Sequence, residues 1–423
     1  MPNGGLKKID DLIRSIYLVN DPYITKVIMA SLVTHKIKGD PVWIVIVAPS
    51  GGAKSEFINI TSQCDKVIQI STLSTHTFAS GMRNVGKEAS LLTKIGSGVI
   101  TFKDLTSLLS ENKEDRGVIM GQLREIYDGK YNKKFGNGLE VDWKGKITVL
   151  AGATYSIHTL KQAYTAMGER FLFYNMVQPE RIDAARRTTE NQEAGYMAER
   201  RLESAAAVKV YIDSLDIPVE IPKLDDDLID DLLDLAELAT RARSETERDW
   251  RSPGKEITEV HPPEMPTRFA GQLVNFARGL MVVNYNETGK FDILPEDKKI
   301  LYKLALDSVT KSKRTAMQEL ARYDSIHTSG LATKLGLPTA TVRRWLEDLT
   351  ALGVAQREKG TGAKGDHWKV LPKYRSIMEK FEGIQREHME LTEKTAEGGQ
   401  EGMKFNEELS AEESAVELKK MGF

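Results

Sequence analysis

Residues 42–60 read VWIVIVAPSGGAKSEFINI, and the fold turns on this stretch. Trp43 to Val47 are five large apolar residues in a row, the pattern of a strand buried on both faces of a parallel sheet. A turn of small residues follows, then Lys54-Ser55, then a segment that can be helical. That order is the order of a phosphate-binding P-loop. Small residues let backbone N–H groups face phosphate oxygens, the helix start adds its positive end, and the lysine neutralises charge. A serine directly after the lysine suits Mg²⁺. The candidate nucleotide contacts are Ser50, Gly51, Gly52, Ala53, Lys54, Ser55 and Glu56.

The spacing GxxxxGK[ST] asks for glycine at positions 48 and 53, and the chain has Ala48 and Ala53. Ala48 should matter little. The Ala53 methyl group stands where backbone closely approaches phosphate, so a weakened nucleotide affinity is expected. An ordinary loop with a solvated Lys54 is the plain alternative.

Upstream, residues 6–38 carry helical spacing, broken at Asn20-Asp21-Pro22. Downstream, residues 66–71 (KVIQIS), 98–102 (GVITF) and 147–151 (ITVLA) read as further strands. A helix with Ile119, Leu123, Ile126 and Tyr127 lies between them. It is followed by alternating residues 128–146 around Gly136-Asn137-Gly138, a β-hairpin pattern. Strands alternating with helices predict an α/β protein with a largely parallel sheet. From Asp183 the character changes to long charged helices over 183–215 and 225–251, with a stripe of Leu228, Leu232, Leu235 and Leu238. A proline-rich link, 253–266, leads to a helix over 268–283 and one or two more over 295–323.

Composition sets bounds. A length of 423 residues allows two or three domains, and 40% hydrophobic with 28% charged residues describes a soluble globular chain. The net charge of −2 gives no global pull toward nucleic acid, so any such attraction is local. Cys64 is the single cysteine, which excludes an intramolecular disulfide or a cysteine-cluster metal site and fits a reducing cytoplasm. No apolar run approaches the roughly 18 residues of a membrane span, and the first residues lack a signal core. A cytoplasmic location without membrane partners is expected.

Residues 327–336 and 339–352 read as two short helices, separated by Gly336-Leu337-Pro338. Two strands follow, joined by GTGAKG. Helix-turn-helix plus hairpin predicts a winged helix-turn-helix. Residues 324–375 hold nine Lys or Arg against five Asp or Glu. Burying Val342 and Leu346 leaves Arg343 and Arg344 outward on the second helix, with Thr339 and Thr341 near its start. Lys359 and Lys364 flank the wing tip. These six are candidate DNA contacts, and a protein-binding winged helix is the alternative. Residues 376–423 hold six basic and twelve acidic residues. They read as an acidic tail without a core, disordered or a lone helix.

Hydrolysis needs an acid at the end of a neighbouring strand and a cation for the γ-phosphate. Asp104, just past GVITF, is the acidic residue so placed. The usual pair is Asp-Glu; here it is Lys103-Asp104, and Asp104 serves the metal, the water, or both.

The order of P-loop, strand ending in acid, helix, hairpin, strand ending in a small polar residue and Gly-Glu-Arg-Phe resembles an AAA+ ATPase. In particular it resembles the hairpin-bearing branch with the minichromosome-maintenance helicases and the bacterial enhancer-binding activators. The same GDPVW…APSGG…FKD…GERF pattern is similar to ATPases of phage and integrated mobile elements. The resemblance covers about residues 40–300, and more if the winged helix is counted.

By position it implies Lys54 as the Walker A lysine, Ser55 as the Mg²⁺ hydroxyl, and Asp104 as the Walker B acid. It makes Thr154 the sensor that orients water. Arg170 becomes an arginine finger reaching a neighbouring subunit, and Arg268 the second sensor of a lid. Lys130, Lys133 and Lys134 would sit on a pore hairpin facing DNA phosphates. A salt bridge is the plain alternative for Arg170 and Arg268, and a solvated turn for the lysines.

The resemblance divides the chain into N-terminal helices (1–40), an AAA+ ATPase core (41–182) and a helical lid (183–300). A winged helix-turn-helix (301–378) and the acidic tail (379–423) complete it. It implies a ring, hexameric in the family, that uses ATP and Mg²⁺ to move DNA like a helicase, in replication of a phage, plasmid or integrated element. Replication proteins are then possible partners. A DNA-binding regulator with a degenerate nucleotide site, or a helicase loader or protein remodeller, are the alternatives.

Overall fold

A computed structural model describes residues 4–80, 90–159, 170–193, 197–360 and 365–380. Helices α1 (Gly5–Ile16) and α2 (Ile24–Lys36) precede β1 (Trp43–Val47), which is followed by the short helix α3 (Lys54–Asn59). Next come β2 (Val67–Ile70), α4 (Leu91–Ile95), β3 (Gly98–Phe102) and α5 (Lys113–Tyr127). The hairpin β4 (Lys130–Lys134) and β5 (Glu140–Lys144) leads into β6 (Ile147–Ala153), and β7 (Leu172–Asn175) closes the α/β part. One sheet of five parallel strands results, in the order β2-β3-β6-β1-β7.

Alternation along β1 explains why its apolar run is unbroken. Ile44 and Ile46 point into one core with α2 and α3, while Trp43, Val45 and Val47 point into another with α5 and the hairpin. Trp43 fixes the second core: its indole N–H donates to the Ile147 carbonyl at 2.8 Å, and its ring meets Tyr127 edge-on at 5.2 Å. Edge strand β7 is closed by side chains. Ser308 Oγ accepts the Phe173 N–H at 3.1 Å and Asp307 Oδ2 the Asn175 N–H at 2.7 Å.

Beyond the sheet lie α6 (Arg181–Glu193), α7 (Met197–Ser214), α8 (Asp226–Arg243) and a separate antiparallel ribbon, β8 (Thr246–Arg248) with β9 (Ile257–Val260). Helices α9 (Thr267–Thr288), α10 (Pro295–Asp307) and α11 (Lys311–Ala321) follow. The leucine stripe of α8 is buried together with α2, α9 and α10, so residues 4–40 share their core with residues 226–307. The C-terminal part contains β10 (Ile326–His327), α12 (Thr328–Leu335), α13 (Thr339–Ala351), β11 (Ala355–Glu358) and β12 (His367–Val370). Its three strands form one antiparallel sheet, β10-β12-β11.

Three expectations are corrected. The helix expected over 225–251 stops at Arg243, and residues 246–260, expected as helix end and linker, form the ribbon. Pro253-Gly254 sets a turn and excludes a helix through it, and contacts made by Arg248 to α13, a hundred positions away, hold the flanking strands. Strand β6 runs on to Ala153 instead of stopping at Ala151, because Ala153 pairs with Val47. A short strand, β10, precedes the two expected near the C-terminus. Gly168 and Glu169 of the Gly-Glu-Arg-Phe motif, Lys364 and the acidic tail from residue 381 lie outside the described residues. Among the described residues, no helix is long and apolar enough to cross a membrane.

Candidate functional site

Parallel strands bring their carboxyl ends to one edge, and ligands of open α/β sheets bind outside that edge. Val47 pairs with Ala153, and the Ala48 N–H donates to the Ala153 carbonyl at 3.1 Å. Phe102 pairs with Ala151, so Asp104, two residues on, stands level with Ala153. The start of the 48–53 loop, Asp104 and Thr154 therefore meet at one height on three adjacent strands.

The loop turns tightly. Gly51 (φ 78°) and Ala53 (φ 58°) are both left-handed, and the Gly52 N–H returns to the Pro49 carbonyl at 3.0 Å. A Cβ on Gly52 would lie 2.6 Å from Gln178 Oε1 and 3.1 Å from the Pro49 carbonyl, so a larger residue there would displace the Gln178 amide and press on the turn. Helix α3 begins at Lys54. Among the described residues no acceptor meets the N–H groups of Ala53, Lys54 and Ser55. Lys54 is 6% exposed, and its Nζ has one long contact, 3.4 Å to the Pro49 carbonyl. Among the described residues it has no carboxylate partner. A buried ammonium so poorly met is costly unless an anion joins it.

Asp104 Oδ1 accepts the Thr106 N–H at 2.9 Å. Thr106 Oγ1 in turn accepts the Thr154 N–H at 2.8 Å and lies 3.3 Å from Thr154 Oγ1, which is 2.6 Å from Ser156 Oγ. One polar chain thus links the candidate acid to the candidate sensor. Gly152 makes this approach possible, since a Cβ there would meet the Lys103 carbonyl at 2.6 Å.

A cleft of about 670 Å³ opens beside the loop, walled by Tyr17 and Leu18 after α1, Gln178 after β7, and Ala184 and Thr188 of α6. Arg201 of α7 holds one of its walls, Tyr17. The guanidinium donates to the Glu56 carboxylate and to the Tyr17 hydroxyl, both at 2.9 Å. Burial, with the Glu56 charge adding to it, pushes the Tyr17 phenol up to about 12, so it keeps its proton at neutral pH.

Arg170 and Arg268 lie at the other edge. Ile44 pairs with Leu172, which places Arg170 at the amino end of the sheet. Arg170 is 6% exposed, donates to both Asp128 carboxylate oxygens at 3.1 Å, and lies 5.4 Å from the Tyr127 ring centre. Burial lowers its pKa, Asp128 opposes this, and the nearby charges of Arg268 and Arg124 lower it further. Arg268 lies 3.9 Å from Glu264. The structure thus gathers Lys54, Asp104 and Thr154 at one end and Arg170 with Arg268 at the other.

The β4–β5 hairpin is anchored at that second end by Trp143, whose indole N–H donates to the Gly96 carbonyl at 2.6 Å. Lys130 and Lys134 are exposed, with Lys134 3.8 Å from Glu140, and Lys133 lies 5.2 Å from the Phe135 ring centre. On α13, Thr339 and Arg343 are exposed and Thr341 is half-buried. The Arg344 guanidinium folds back on Thr341 Oγ1 at 3.3 Å. Lys359 is exposed after β11.

No model of a known protein family matches the chain, and no curated protein matches it either. Thr106, Gln178, Tyr17 and Arg201 were missed by sequence reasoning. Thr106 alone had a local signal, a hydroxyl two residues beyond the candidate acid; the other three reach the loop from distant segments.

Proposed function

We propose that this chain is an AAA+ P-loop ATPase of the hairpin-bearing branch. In this reading it assembles as a cytoplasmic ring, hexameric by family likeness, and moves DNA as a helicase-like motor in replication of a phage, plasmid or integrated element. The carrying observation is Lys54, a buried cation with no carboxylate partner among the described residues, at the carboxyl end of a parallel sheet beside Asp104 and Thr154. The loop N–H groups without acceptors and the adjacent cleft fit a nucleotide triphosphate.

Lys54 and the N–H groups of Ala53 to Ser55 would bind the phosphates, with Ser55 and Asp104 on Mg²⁺. ATP supplies a phosphoanhydride bond whose hydrolysis releases phosphate. Asp104 and Thr154, joined through Thr106, would orient the attacking water. The C-terminal helices and three-stranded sheet are read here as a winged helix-turn-helix, with Thr339, Thr341, Arg343, Arg344 and Lys359 toward DNA. Because Arg170 is distant from Lys54 of its own chain, a finger role requires a second copy, and the guanidinium, buried and bonded to Asp128 as the salt-bridge alternative expects, would have to leave that pair to act.

ATP hydrolysis by the purified chain, measured with and without single- and double-stranded DNA, tests the reading. DNA-stimulated turnover that disappears in Lys54→Ala supports it; no turnover in either condition overturns it. A second reading has its own observation: Ala53 holds a left-handed backbone at φ 58°, which fits a DNA-binding regulator whose nucleotide site has decayed. Turnover stimulated by a protein instead of DNA would point to a loader or remodeller.

A further inference from the structure

An isolated two-stranded ribbon is at best marginally stable, yet β8–β9 is held firmly. The Arg248 side chain is 4% exposed; it donates to Glu347 at 3.0 Å, to Asp348 at 2.7 Å, and to the carbonyls of Arg344 and Lys255 at 2.9 and 2.8 Å. Thr246 adds a bond to Asp348 at 2.7 Å. Residues 249–256 are tied as well: Asp249 N–H to the Glu256 carbonyl at 3.0 Å, Lys255 N–H to the Ser252 carbonyl at 3.1 Å. This anchored tip carries Trp250 at 63% exposure, a large aromatic left in water, where burial would normally stabilise it. Lys255 Nζ and the Arg344 guanidinium lie 5.4 and 5.7 Å from its ring centre, and Arg251 is exposed beside it.

We propose that the ribbon tip is a nucleic-acid site in which an unpaired base stacks on Trp250 while Arg251, Lys255 and Arg344 meet the flanking phosphates. An aromatic face set among cations is the chemistry that takes single strands. Glu247 and Glu259 face each other across the exposed back of the ribbon, and Asp249 and Glu256 are exposed at its tip, so the cations that favour a strand are those grouped around the Trp250 ring. The tip sits against α13, so a strand held there continues the surface of Thr339 and Arg343. The inference rests on the DNA-binding reading and adds to it a single-strand contact outside the winged helix.

Trp250 is its own reporter. Trp43, Trp143 and Trp368 are buried and Trp345 is half-buried on α13, so Trp250 is the most exposed of the five, and Trp345→Phe removes the other ring that DNA on α13 could quench. With labelled oligothymidylate at low salt, binding followed by anisotropy should quench that emission. Trp250→Ala should abolish the quenching and weaken single-strand binding by about 5- to 100-fold, the range for loss of one stacked base. The double variant Arg251→Ala with Lys255→Ala keeps the ring and should flatten the salt dependence by about one to two ion contacts. Unchanged emission on binding, with equal affinity of wild type and Trp250→Ala, overturns the tip site while the DNA-binding reading stands. Failure of single and double strands alike to bind overturns both.

Discussion

The two ends of the parallel sheet are built from the same strands and differ in how their charges are met. At the amino end Arg170 is already paired, gripping Asp128 and lying over Tyr127. At the carboxyl end Lys54 is buried against one distant carbonyl, and the loop N–H groups around it point at no acceptor among the described residues. At one end the buried cation is paired within the chain, and at the other it has no carboxylate partner among the described residues. The contrast teaches that Arg170 and Lys54 of one chain do not share a site; in the proposed reading, a cation from another copy would have to complete the pocket at Lys54.

The strongest way to break this comparison is to disable each end and mix the two. Lys54→Ala and Arg170→Ala are each expected to lower ATP turnover by about 1000-fold or more, the scale on which removing an arginine finger acts. Lys54→Ala should lose nucleotide binding, whereas Arg170→Ala should keep it. Mixed rings should recover part of the turnover, since some interfaces then combine an intact loop with an intact Arg170. No recovery over a range of mixing ratios would mean that the two ends do not meet between copies.

Gly152→Ala sharpens the carboxyl end. The new methyl group meets the Lys103 carbonyl at 2.6 Å and Ile58 at 3.0 Å, so β3 or α3 has to shift. A loss of about 1–3 kcal/mol in denaturant unfolding is expected, with turnover falling because Asp104 moves relative to Thr154. An unperturbed melt would show that the strand ends are less tightly joined than the geometry states.

The amino end has its own test in His35. Burial, and then the charges of Lys146, Lys66 and Lys36, lower its pKa to about 4. The unfolded chain binds this proton near pH 6.5 and the folded chain only near pH 4, so the unfolded state holds more protons between these values. Stability should therefore be full above about pH 6.5 and fall as pH drops toward 4, by at most about 3 kcal/mol. His35→Gln should flatten that limb; an unchanged pH profile would remove His35 as its cause.

The smallest effect is expected at Ala53. Glycine there relieves a left-handed alanine and should stabilise the chain by about 1 kcal/mol. Its value lies in a second readout: a large gain in ATP affinity favours a decayed site, and little change favours a competent variant loop.

The carboxyl end was largely legible from sequence because its signals are local. Trp43 to Val47, the small-residue turn and Lys54 are contiguous, and Asp104 directly follows an apolar run. The links among them were not legible: Thr106 meets Thr154 across 48 positions, and Arg201 meets Glu56 across 145. The ribbon was misread for the same reason. Pro253-Gly254 marks a turn locally, but pairing of the flanking residues as strands is settled by a buried arginine bonded to Glu347 and Asp348.

Edge strand β7 has a consequence for how copies can meet. Its outward amides at Phe173 and Asn175 are taken by Ser308 and Asp307, so that border offers no template for main-chain zippering by a foreign strand. A strand approaching that border would have to displace both side chains before it could add to the sheet.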